Sequence, residues 1–143
     1  MIVPDTNLLL YAYDNSFSQH AAARVWWEKV MNGSEAVGLP WVVVLAFVRL
    51  ATHPTIATHP RAVPEVRAIV ESWLEFPHVR MLPTSPALVG RFFDALVAAR
   101  QGGNLSTDAL IAAHALEAGG RVFTADRDFL RFPGVLVVNP LIG

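Results

Sequence analysis

A chain of 143 residues with a net charge of −1 is long enough to bury one ordinary core and too short for two, so a single domain over 1–143 is expected. A composition that is 53% hydrophobic and 16% charged excludes a disordered chain, and the near-neutral balance excludes a polycation that draws nucleic acid from afar. Cysteine is absent, which removes disulfides, thiolate metal sites and cysteine nucleophiles together.

No apolar run reaches the roughly 18 residues of a spanning helix. No basic segment precedes the first hydrophobic run either, so a cytoplasmic protein without a membrane role is expected. The apolar content runs slightly above what one small globule needs, which points to a subunit or partner interface. Ten of the eleven basic residues are arginine, with Lys29 the single lysine. The planar guanidinium suits phosphate recognition, although genome base composition gives the same bias.

Short β-like runs then alternate with longer helical ones. Met1–Val3 reads as a strand that stops at Pro4 and Asp5, and the apolar run Leu8–Leu10 follows at once. Residues from about Gln19 to Met31 read as a helix and Ala36–Leu39 as a second strand. Pro40 and Trp41 open a helix through VVVLAFVRLA, although Val42–Val44 also suit a strand. ATHPTIATHP repeats Ala-Thr-His-Pro at a spacing of six. A residue before proline is pushed out of helical geometry, so this stretch is expected to be a loop.

Val66, Ile69, Val70, Trp73 and Leu74 share one helical face, with Pro64 near its start. Val79–Leu82 is a third strand. Ser85 and Pro86 supply a cap and a first-turn proline for a helix whose buried stripe is Leu88, Val89, Phe92, Phe93 and Leu96. The glycines of QGGN end that helix. Thr107 caps DALIAAHALEA, which closes at Gly119 and Gly120. Arg121–Thr124 is a fourth strand, Arg127–Arg131 at most a helical turn, and Val135–Val138 a fifth strand. Apolar strands alternating with helices imply a three-layer α/β/α sandwich on a mostly parallel sheet of about five strands.

Asp5 follows the first strand, Asp126 follows the fourth with Asp128 two positions on, and Asp108 begins the alanine-rich helix. Singly, each has an ordinary structural role, because aspartate at a helix start accepts backbone hydrogen bonds and faces the positive dipole end. As a set they carry more. Ligands of an open parallel sheet sit beyond the carboxyl ends of its strands, where the strand order reverses. If the first and fourth strands are neighbours, Asp5, Asp108 and Asp126 converge, and like charges that close raise one another's pKa unless a cation lies among them. Hard oxygen donors suit Mg2+ or Mn2+, and such an ion supports phosphodiester hydrolysis with little else from the side chains.

IVPDTNLLLYA, GNLSTDALIAAHALEAGGRVFTADRDF and RFPGVLVVNP resemble the PIN-domain ribonucleases, specifically the VapC-type toxins of bacterial toxin–antitoxin pairs. The likeness covers nearly the whole chain, including LPWVVVLAFVRLATHP. It implies a metal-dependent endoribonuclease whose usual targets are transfer or ribosomal RNA, arresting translation. It further implies a homodimer and a cognate VapB-type antitoxin whose carboxy-terminal segment blocks the acidic cleft.

Carried over residue by residue, the resemblance puts Asp5, Asp108 and Asp126 in the acidic metal site and matches Asp128 to a frequent extra acid. Thr6, Asn7 and Thr124 match polar neighbours of that site, and Asn104 a position that either contacts it or finishes a turn. Many family members carry a glutamate in the helix after the second strand. That position falls near Ala46, as in a branch of the family that reads Leu-Ala-Phe there. One well-held ion is therefore expected, with Asp128 or substrate phosphate helping to hold any second.

Arg49 and Arg127 are candidates for phosphate contact, with a structural ion pair or charge offset as the equal alternative. His53 and His59 match no metal-ligand spacing and read as loop residues. His114 reads as a packed or partly exposed histidine rather than a general base, and Trp26, Trp27, Trp41 and Trp73 as core or interface. The competing function is a catalytically degenerate PIN domain that binds RNA or protein without cutting. A phosphoacceptor domain lacks its late lysine, and a haloacid-dehalogenase-type phosphatase would have aspartate where Asn7 stands.

Overall fold

The structure, a computed structural model, describes residues 1–142. Five short strands, β1 (Ile2–Pro4), β2 (Val37–Leu39), β3 (Val79–Met81), β4 (Arg121–Phe123) and β5 (Val137–Val138), form one sheet in the order β3-β2-β1-β4-β5. Every pairing is parallel. The helices are α1 (Thr6–Tyr13), α2 (His20–Met31), α3 (Trp41–Ala51), α4 (Val63–Leu74), α5 (Pro86–Ala99) and α6 (Ser106–Ala118). Together they make the layered α/β/α sandwich expected from the alternation. β2 to β5 are one or two residues shorter than their expected runs and β1 is shifted by one position, as fits a small twisted sheet whose end residues peel into loops.

Strand order decides where chemistry can happen. The chain moves outward from β1 through β2 to β3, then returns to lay β4 against the other side of β1. The order therefore reverses at the β1/β4 pair, where Ile2, Val3 and Pro4 lie opposite Arg121, Val122 and Phe123. Backbone beyond these two strand ends diverges and leaves a crevice at the carboxyl edge. The N–H of Asp5 still bonds to the Phe123 carbonyl at 2.8 Å, so the first residue past β1 remains locked to β4.

Val3, Leu8, Leu9, Val37, Leu39, Val43, Phe47, Ile111 and Val122 form the solvent-free core. A Cβ at Gly38 in β2 would lie 2.7 Å from both Leu82 Cδ2 and Met1 Sδ, so a larger residue there requires those side chains to shift. Trp27 and Trp73 are buried and meet edge-on at 5.6 Å, with the Trp73 indole N–H donating to the Tyr13 hydroxyl at 2.8 Å. Trp41 is 63% exposed, so of the two roles the sequence allows it, core is excluded. His53 caps the loop of Thr-His-Pro repeats by accepting the Thr55 and Ile56 N–H groups, and His114 is buried in α6.

Three local expectations are corrected. Val89 and Phe93 are 55% and 57% exposed; α5 instead turns Leu88, Ala95 and Ala99 inward, with Phe92 and Leu96 partly covered. The apolar stripe of α5 is wider than the face that meets α6, and spacing alone does not say which edge is covered. The end of α5 is made by Arg100 in the left-handed region (φ 55°), not by the glycines after it. That conformation costs a non-glycine residue roughly 1–2 kcal/mol. Thr107 lies inside the first turn of α6, which a 3-10 turn at Gly103–Leu105 feeds directly. Ser85 does cap α5, accepting the Leu88 N–H, and Gly119 closes α6 in left-handed geometry (φ 67°).

Candidate active site

Each carboxylate reaches the crevice for a local reason. Asp5 is the residue at which β1 ends and α1 begins, Asp108 lies in the first turn of α6, and Asp126 precedes the 3-10 turn Arg127–Arg131 that contains Asp128. One oxygen each from Asp108, Asp126 and Asp128 lie within 4.8 Å of one another. Asp126 Oδ1 accepts the Asp128 N–H at 2.8 Å, which folds the short Asp-Arg-Asp stretch back so that both acids face Asp108.

Asp5 stands behind this trio, only 4% exposed. Its Oδ2 accepts the Thr124 hydroxyl at 2.7 Å, and Thr124 Oγ1 in turn accepts the Asp126 N–H at 2.9 Å. One buried hydroxyl thus ties the end of β1 to the loop after β4. Although Asp5 occupies the N-cap position of α1, its side chain makes no cap bond of good geometry. The Thr6 and Asn7 N–H groups still lie near enough to favour its ionised form. Thr6 is buried and its hydroxyl has no hydrogen-bond partner among the described residues.

Burial raises the Asp5 pKa, and the nearby Asp126 adds to the effect, against the hydrogen bond from the Thr124 hydroxyl and the nearby N–H groups of Thr6 and Asn7. Burial also raises Asp108, and the charges of Asp5, Asp126 and Asp128 push it further, up to about 7. Among the described residues no lysine or arginine forms an ion pair with any of the four. The donor set of hard carboxylate oxygens, with neither nitrogen nor sulfur, fits a divalent cation of the magnesium type. That uncompensated charge is what such a cation would relieve.

The remaining candidates are more dispersed. Asn7 borders both the carboxylates and a cleft of about 850 Å3 that runs past Leu10, Tyr13, Phe47, Leu50 and Ile56. Asn104 is exposed in the turn before α6. Arg127 is exposed between the two acids, and Arg49 is exposed in the last turn of α3. Ala46, at the glutamate position of many relatives, is a buried residue of α3. Tyr11 is the residue that sequence reasoning missed: burial raises its phenol pKa, and so do the charges of Asp5 and Asp126. Its signal was its spacing, four residues after Asn7 and so on the same face of α1.

Fold and carboxylate cluster together define a parallel α/β domain with an acidic centre at its strand-order switch. A model of the PIN domain matches residues 2–135. Ribonuclease VapC33 of Mycobacterium tuberculosis is 33% identical over 141 residues, 99% of each chain. Among solved structures, VapBC-1 from nontypeable Haemophilus influenzae superposes with a TM-score of 0.70 at 18% identity over 98% of both chains. VapC20 of M. tuberculosis, described as a sarcin-ricin-loop-cleaving toxin, superposes at 0.68 and 15% identity over 91% of this chain and 93% of its own. The chain belongs to the PIN-domain family, and within it to the VapC-type proteins.

Proposed function

We propose that this protein is a divalent-metal-dependent endoribonuclease, the toxin of a type II toxin–antitoxin pair, that hydrolyses transfer or ribosomal RNA. The observation that carries the reading is the convergence of Asp108, Asp126 and Asp128 within 4.8 Å, with Asp5 buried behind them. Asp108, Asp126 and Asp128, whose oxygens converge, would hold the ion together with Asp5 behind them, one ion per chain. Such an ion, when bound, supplies water activation and charge stabilisation at the scissile phosphate. Thr124 keeps Asp5 and Asp126 in register through its two hydrogen bonds. Without a cation the Asp108 carboxyl, with its pKa near 7, retains a proton for part of the time at neutral pH. Asn7 and Tyr11 on α1, with Arg127, border the acids as donors for substrate phosphate.

The partners follow the same reading. The VapBC neighbours favour a VapB-type antitoxin, and the 850 Å3 cleft, which Asn7 lines but the four aspartates do not, would take a segment that reaches the acids past Asn7. A homodimer accords with the exposed Val89, Phe93 and Val97 along α5. Ala46 is a feature that a degenerate, binding-only domain would also show, but intact aspartates favour catalysis.

Asp5→Asn is the direct test, because it preserves shape while removing a charge. Growth arrest on expression and cleavage of total RNA in Mg2+ should both disappear, and EDTA should silence the wild type. Growth arrest that survives in a variant unable to cleave RNA would overturn the nuclease reading in favour of binding alone, and cleavage that survives would remove Asp5 from the metal site. Mn2+ calorimetry on the wild type should give one tight site; two without RNA would refute the single-ion part.

A further inference from the structure

The acidic trio is assembled from two separate segments, the start of a helix and the turn after a strand. Asp126 and Asp128 belong to the turn after β4, whereas Asp108 is delivered by α6, whose start is set by the stretch 100–105 after α5. The last residue of the Arg127–Arg131 turn bridges the two. The Arg131 guanidinium donates from Nη2 to the Ala99 carbonyl at 3.0 Å and from Nη1 to Gln101 Oε1 at 2.9 Å. Those two partners flank Arg100, the one non-glycine residue at positive φ among the described residues. A planar guanidinium with two donors in a fixed fork can bracket such a turn, whereas an ammonium cannot span both acceptors in the same way.

We propose that Arg131 is a positioning residue, clamping the left-handed turn at Arg100 to the Arg127–Arg131 turn and so holding Asp108 at cation-binding distance from Asp126 and Asp128. The inference rests on the metal-site reading above. Arg131 touches neither substrate nor ion; it acts through the two loops it joins. Losing the clamp lets the 100–105 stretch drift, the first turn of α6 follows, and the trio spreads while the core stays packed.

The test is Mn2+ affinity by calorimetry on Arg131→Ala, Arg131→Lys and Gln101→Ala, with Arg67→Ala on the exposed face of α4 as control. Circular dichroism should show each folded. Arg131→Ala should weaken Mn2+ roughly tenfold or more, the scale at which residues supporting metal ligands act. Lysine should recover part of the loss, Gln101→Ala should show a smaller loss in the same direction, and Arg67→Ala none. Raising Mn2+ well above the weakened Kd should restore RNA cleavage by Arg131→Ala; because bound metal also stabilises the fold, this is read at a temperature where circular dichroism shows the metal-free variant fully folded.

Binding by folded Arg131→Ala within twofold of a wild type that binds well overturns the clamp and leaves the metal site standing. A wild type that binds no Mn2+ overturns both. If Arg131→Ala does not fold, unchanged affinity in Gln101→Ala and Arg131→Lys overturns the clamp by itself.

Discussion

Replacing Asp108 by asparagine should make the metal-free protein more stable, and the gain should depend on pH. Burial and three neighbouring aspartates raise this carboxyl from 3.8 to about 7 in the folded chain. The native state therefore binds a proton more tightly than the unfolded state, and stability falls as pH rises between about 4 and 7. A shift of about three units corresponds to an upper limit of about 4 kcal/mol. Asp108 is only partly buried, and solvent screening reduces that to about 1–2 kcal/mol. For a chain of this size the corresponding rise in Tm is about 3–7 °C. Thermal melts in EDTA from pH 4 to pH 8 should show the variant level with the wild type at pH 4 and above it at pH 8. Excess Mg2+ should raise the wild type at pH 8 and leave the variant nearly unmoved. Parallel melting curves for the two proteins across the whole range would refute the claim that the acids strain one another.

Two further perturbations probe the support of the site and the sheet. Thr124→Val is nearly isosteric but removes the hydroxyl bonded to Asp5 Oδ2 and to the Asp126 N–H. Mn2+ affinity should fall about 10–100-fold, read by calorimetry, with the fold retained by circular dichroism; unchanged affinity would show that the bridge is incidental. Gly38→Ala places a Cβ 2.7 Å from Leu82 Cδ2 and Met1 Sδ and should cost about 1–3 kcal/mol in urea unfolding, the usual penalty of overpacking. A wild-type midpoint would mean that Met1 and Leu82 yield freely.

What the amino-acid order determines by itself is local. Apolar runs set where strands and helices form, Ser85 and Gly119 mark helix ends, and the positions of Asp5, Asp108 and Asp126 at element boundaries single them out before any packing is known. These features follow from periodicity, capping and backbone conformation within a few residues, so they are legible in a string.

Tertiary structure alone decided that β4 lies against β1, which brings Thr124 to Asp5 across 119 positions of chain. It also decided that Asp128 joins Asp108 and Asp126 while Asp5 sits behind, that Tyr11 shares their field, and that Arg131 reaches back to Ala99 and Gln101. It turned Val89 and Phe93 outward, because helix spacing marks an apolar stripe without saying which edge another helix will cover. Long-range order depends on which surfaces win the competition for burial across the whole fold, and no stretch of a few residues contains that comparison.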